Sequence, residues 1–121
     1  MASLCAVALT AEAPAKPATD LPAPGERPAS FVACAACHKT APNERSAMGP
    51  NLYRIANRRA GTGQFNYSAA MKASRATWNR KALIAFIENP RKVIPGNRMP
   101  YPGNRDPKAA AEIADYVLSL K

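Results

Sequence analysis

The sequence predicts an all-α domain with long ordered loops, and three observations carry that prediction. Apolar residues recur at helical spacing in two segments, Leu83-Ile84-Ile87 and Ile113-Tyr116-Val117-Leu120, each opened by a capping residue. No segment alternates apolar and polar residues as a half-buried strand would. Proline and glycine gather between the helical segments, where they stiffen or turn the chain. At 121 residues the chain is one domain's worth. A core of that size is marginal by itself, so a cofactor or other staple would add needed stability.

Residues 1–29 read differently from 30–121. Leu4 to Leu9 looks like the tail of a signal-peptide apolar region, and Ala11-Glu12-Ala13 fits a small-x-small cleavage site. A positive n-region is missing, so the segment reads as a truncated signal. Leu4 before Cys5 is not the small residue that a lipid-anchored cysteine needs. Pro14 to Pro28 is rich in Pro and Ala, has little to bury, and is expected to be a disordered leader.

The domain at 30–121 should hold roughly three to five helices. Ser30 to His38 is expected to form the first, and Tyr67 to Lys72 a short one. Between them, Pro42-Asn43, Gly49-Pro50-Asn51 and Gly61-Thr62-Gly63 are turn chemistry. Asn79 can cap a helix running to Asn89, and Pro90 stands where it should stop. Pro95 to Gly103 is a stiff, sharply turning loop. Asp106-Pro107 opens the last helix: Asp caps, and Pro fits the first turn, where a missing N–H costs nothing.

Net charge is +9. Between Lys39 and Arg98 twelve basic residues face two acidic ones, Glu44 and Glu88. Such a field steers a protein towards acidic partners. A nucleic-acid module would share the charge but leave the cysteine motif unexplained. No apolar run is long enough to cross a bilayer.

That motif is Cys34-Ala35-Ala36-Cys37-His38, the C-x-x-C-H attachment signature of c-type haem. Residues three and four apart share one face of a helical turn. Both thiols can therefore reach haem vinyl groups while His38 offers an imidazole to the iron. A redox dithiol would want a β-α-β context, and structural zinc would want a second pair of ligands; neither is present. His38 is the only histidine, so the other axial ligand must be another residue type. The soft candidates are Met1, Met48, Met71 and Met99. Met1 lies in the leader, Met71 in a short helical stretch, and Met48 only ten residues after His38. Met99 sits about sixty residues downstream in a Pro/Gly-constrained loop that could present a sulfur rigidly.

Several stretches now combine. C-A-A-C-H at 34–38, G-P-N-L at 49–52, R-R-A-G at 58–61, F-N-Y-S at 65–68, Trp78, E-N-P-R-K at 88–92 and P-G-N-R-M at 95–99 occur in this order before an apolar C-terminal helix. Together they resemble the class I cytochromes c of the mitochondrial and bacterial periplasmic type, over about Phe31 to Leu120. The resemblance implies a small cytochrome c fold wrapped around one haem c. Cys34 and Cys37 would form its thioethers, and His38 and Met99 would bind its iron. It implies that the Pro50 carbonyl accepts the His38 N–H, and that Arg58, Tyr67 and Trp78 hydrogen-bond a haem propionate. Phe31 and Tyr116 match an aromatic contact between the first and last helices.

Departures are informative. Arg54 and Asn57 replace usual glycines, so the backbone there is expected to differ locally. Phe86 replaces a tyrosine that often reaches the methionine sulfur. Asn97 replaces a common threonine and is expected to hydrogen-bond near the propionate or the methionine loop.

The function expected is single-electron transfer between redox partners of a periplasmic or membrane-associated respiratory chain, without catalysis. A peroxidase or gas sensor would need an open iron position or a distal acid/base group, and no histidine is left for that role. Lys39, Arg45, Arg91, Lys92 and Arg98 are expected to ring the haem edge and dock an acidic oxidase, reductase or dehydrogenase. The protein would be a monomer or a weakly bound subunit in the periplasm or an equivalent exported compartment.

Overall fold

The computed structural model describes residues 25–121. The expectations for the signal-like segment, the leader up to residue 24, Met1 and Cys5 fall outside the described residues. Within them the all-α expectation holds: helices and loops make up the fold, with no strand. No helix there is long and apolar enough to cross a membrane.

The first helix is shorter than expected. A 3₁₀ turn at Ala29–Phe31 leads into α1, Val32–Ala35, and the chain then turns towards His38. Its amides at Cys37 and His38 both bond the Cys34 carbonyl, at 3.1 and 2.9 Å. The chain is already packed before the expected start at Ser30. Arg27 Nε donates to the Tyr116 hydroxyl at 3.2 Å, and Nη2 donates to Thr40 Oγ1 at 3.0 Å. The same guanidinium lies over the rings of Phe31 and Tyr116.

The short helix α2 runs Ala69–Ala73, two residues later than expected. Ser68 explains the shift: its side chain accepts the Met71 N–H and caps the first turn. Asn79 caps α3, Arg80–Glu88, through the Ala82 N–H, as its sequence position predicted. Pro90 ends α3 and also opens a further turn, α4, Pro90–Val93, capped by Asn89. Sequence reading saw the stop but not the restart. Asp106 caps α5, Pro107–Leu118, at the Lys108 N–H.

α3 packs on α5, and the 3₁₀ turn at Ala29–Phe31 packs on α5 as well. Leu83 and Ile87 from α3 meet Ile113, Tyr116 and Val117 from α5, with Phe31 fully buried between. Phe31 and Tyr116 make the expected aromatic contact, edge to face at 4.9 Å. Each such buried side chain contributes about 1.5–3 kcal/mol. A second cluster of Ala60, Phe86 and Ile94 collects Met71, Trp78 and Met99 around it.

One pairing was not legible in advance. Residues 57–60 run antiparallel to 76–78: Asn57 N–H bonds the Trp78 carbonyl (3.0 Å), Trp78 N–H the Arg58 carbonyl (2.8 Å) and Ala60 N–H the Ala76 carbonyl (2.8 Å). Only one bridge forms, between Arg59 and Thr77.

Candidate functional site

Between the two clusters lies a cavity of about 590 Å³. That is the size of a cofactor pocket; packing voids in proteins are rarely larger than a water molecule. Leu52, Ile55, Leu83, Ile87 and Val117 make much of its wall apolar. Cys34, Cys37, His38, Pro50, Arg58, Tyr67, Trp78 and Met99 all line it. Eight of the nine residues singled out from sequence thus converge, although up to sixty-five positions separate them.

His38 is fixed from two sides. Its Nδ1 lies 2.7 Å from the Pro50 carbonyl oxygen. A carbonyl only accepts, so Nδ1 carries the hydrogen and Nε2 keeps its lone pair for a metal. Burial holds the imidazole pKa below its ordinary value, against the raising effect of the Pro50 bond. Burial therefore favours the neutral ring that a ligand must be. On the other side Gly49 packs against it. A Cβ at Gly49 would stand 2.9 Å from His38 Cε1 and 3.0 Å from Nδ1, so only glycine fits unless the ring moves.

Both cysteines are free and half-buried. Burial pushes the Cys34 thiol up; a backbone hydrogen bond opposes this, and Cys37 adds to it. A reduced thiol pair beside an imidazole with a free Nε2, on an apolar cavity wall, fits covalent haem attachment.

Three described methionines touch this cavity. Met48 is 70 % exposed. Met71 and Met99 are partly buried against the same cluster. Met71 belongs to α2, whereas Met99 sits in a braced loop. Pro95 and Gly96 occupy the centre of a turn closed by Asn97 N–H to the Ile94 carbonyl at 3.2 Å, with Gly96 at φ 88°. A positive φ following proline is the type II pattern, which glycine adopts without strain.

Asn97 is the one expected site residue outside the cavity wall. Its amide is spent on the methionine loop, donating to the Pro90 and Ile94 carbonyls and accepting the Met99 N–H.

Arg58 and Trp78 are brought together by the 57–60/76–78 pairing. Tyr67 approaches Arg58 across Gly63, whose added Cβ would lie 3.2 Å from Arg58 Nη2 and 3.4 Å from the Tyr67 hydroxyl. Burial pushes the Tyr67 phenol up, while nearby Arg58 pulls it down. Tyr67 donates to the Thr62 carbonyl at 2.9 Å. Phe86, without a hydroxyl, packs edge-on against Trp78 at 5.0 Å.

Arg54 and Asn57 both take the left-handed conformation natural to glycine, with φ of 61° and 62°. Hydrogen bonds hold them there: Arg54 N–H to the Leu120 carbonyl at 2.8 Å, and Asn57 N–H to the Trp78 carbonyl.

Sequence reading missed Tyr101. It lines the cavity two residues after Met99, and burial and then the Cys34 thiol push its phenol up. Its place between Pro100 and Pro102 was the available signal. Of the five basic residues expected near the opening, all are exposed, but only Arg98 lines the cavity. Arg58 and Arg59 add to the wall.

Comparison with known proteins places these observations in context. The family model described as Cytochrome c matches residues 23–121. The cytochrome c2 of Rhodoblastus acidophilus is 43 % identical over 92 residues, 75 % of this chain and 86 % of its own. The cytochrome c2 of Rhodopila globiformis is 39 % identical over 89 residues, 73 % and 83 % of the two chains. Among solved structures, cytochrome cH from Methylobacterium extorquens superposes with a TM-score of 0.68 at 34 % identity, covering 73 % of this chain and 89 % of that one.

Proposed function

Since the chain belongs to the cytochrome c family, and so is an electron carrier with covalently bound haem c, we propose that His38 and Met99 would hold its iron and that it shuttles single electrons without catalysing a reaction. The observation that carries this reading is the convergence of Cys34, Cys37, His38 and Met99 on one apolar cavity.

When bound, the haem supplies one-electron chemistry at its iron. Cys34 and Cys37 tether it through thioethers, which keep it in place when the fold opens transiently. Pro50 and Gly49 orient the His38 ring and fix its tautomer. The soft sulfur of Met99 favours the reduced iron and raises the potential relative to a second imidazole. With His38 and Met99 both holding the iron, no substrate would reach it. The apolar wall excludes water, and the rigid backbone around His38 and Met99 limits rearrangement when the charge changes.

Exposed Lys39, Arg45, Arg91, Lys92 and Arg98 support docking to an acidic redox partner. Function in the periplasm or an equivalent exported compartment belongs to the same proposal. So does the division of the chain near residue 30. Arg27's packing and a family match beginning at residue 23 support moving that boundary ahead of Arg27.

Met99→Ala tests the ligand reading. The oxidised variant should lose the weak long-wavelength sulfur-to-iron charge-transfer band, and the reduced variant should bind carbon monoxide. Met48→Ala and Met71→Ala should do neither. If Met71→Ala opened the iron and Met99→Ala did not, the ligand assignment would fail while haem attachment stood.

A further inference from the structure

We propose that Asn97 is the positioning residue for the distal ligand: its side-chain amide latches the Met99 loop shut and so sets how readily Met99 leaves the iron. This rests on the reading of Met99 as a ligand.

The argument begins with what the partners are. Asn97 Nδ2 lies 3.0 Å from the Pro90 carbonyl oxygen and 2.8 Å from the Ile94 carbonyl oxygen. Its Oδ1 lies 3.0 Å from the Met99 amide nitrogen. Two acceptors face the amide nitrogen and a donor faces the amide oxygen, so the chemistry of the partners fixes which way the group points. Three of the four hydrogen bonds an asparagine commonly makes are thereby used within one loop.

Each bond ties a different part of the ligand segment. The Pro90 carbonyl belongs to the first residue of α4, and it also accepts the Ile94 N–H at 3.0 Å. Ile94 is buried in the cluster that carries Met99. Asn97 thus joins the α4 turn, the Pro95-Gly96 turn and the Met99 backbone at one point. Beyond it, Arg98 Nη2 donates to the Asn66 carbonyl at 2.7 Å and holds the outer side of the loop. Moving the Met99 backbone away from the cavity requires Met99 N–H to leave Asn97, or Asn97 to leave both carbonyls. The side chain is partly buried, so released partners are not fully repaid by water. A threonine hydroxyl, with one proton to give, could not satisfy two carbonyls at once.

Imidazole binding to the oxidised holoprotein reads the opening directly, because imidazole binds only when Met99 has left. Asn97→Ala should raise imidazole affinity roughly tenfold, the equivalent of one to two net hydrogen bonds. Amide exchange at Met99 should accelerate in parallel. Asn97→Asp keeps the acceptor for Met99 but turns a carboxylate towards two carbonyls, and should open the loop at least as much as Ala. Asn79→Ala removes the α3 cap, whose hydrogen bonds do not involve the Met99 loop, and should leave imidazole affinity unchanged even where it lowers thermal stability. Affinity in Asn97→Ala within about twofold of wild type would overturn the proposal, as would an equal rise in Asn79→Ala. Met99→Ala separates the two readings. If it leaves imidazole binding and the charge-transfer band unaltered, the ligand assignment has failed. If it opens the iron while Asn97→Ala does not, only the latch has failed.

Discussion

At Gly49 a missing side chain does the positioning. The His38 ring occupies the space a Cβ would need, and the Cys37 carbonyl lies 3.1 Å from the same point. Gly49→Ala should therefore displace the imidazole or its backbone support, at about 1–3 kcal/mol of overpacking. Thermal unfolding should begin several degrees lower, and the His38 Nδ1–H proton, bonded to Pro50, should exchange faster with solvent. Unchanged melting and exchange would show that the ring relaxes freely. At this scale the sequence was most legible where chemistry is carried by residue type. Two thiols, a single histidine and few methionines left little choice. It was least legible for Tyr101, because which partner an aromatic side chain meets depends on chain that returns from elsewhere.

Elements whose limits are set by local side-chain bonds were readable. Asn79 and Asp106 cap α3 and α5 where their positions predicted. The 57–60/76–78 pairing was not readable, because it joins distant, non-alternating segments through backbone atoms alone. Nor was the backbone at Arg54 and Asn57, where tertiary hydrogen bonds impose a conformation that the side chains disfavour. Left-handed φ costs a residue such as arginine about 1–2 kcal/mol, while asparagine tolerates it. Arg54→Gly should thus raise stability by about 0.5–1 kcal/mol, reduced by lost packing over Tyr53. Asn57→Gly should be close to neutral. Denaturant unfolding of the two variants side by side checks the difference in sign and size. A larger gain at Asn57 than at Arg54 would mean that strain is not the controlling factor.

For the molecule as a whole, charge acts over distances that no single contact spans. The excess of basic residues between Lys39 and Arg98 should accelerate encounter with an acidic redox partner, and salt should weaken it, since screening sets in within about 8 Å at physiological ionic strength. Stopped-flow electron transfer measured from low to high salt should slow markedly; a flat profile would remove the electrostatic reading. The all-α class and the order of the helices follow from motifs strung along the chain. How α3, α5 and the segment at Phe31 enclose the cavity follows from packing.

Arg27 adds a mechanical consequence. Its guanidinium grips Tyr116, Thr40 and the Phe31 ring just ahead of the turn that carries Cys34, Cys37 and His38. Tension applied to the chain at Gly25 meets that grip first and is diverted into α5 and the Thr40 loop. Arg27 thus acts as a clamp at this end of the described residues, joining the segment ahead of the cysteines to α5 and the Thr40 loop.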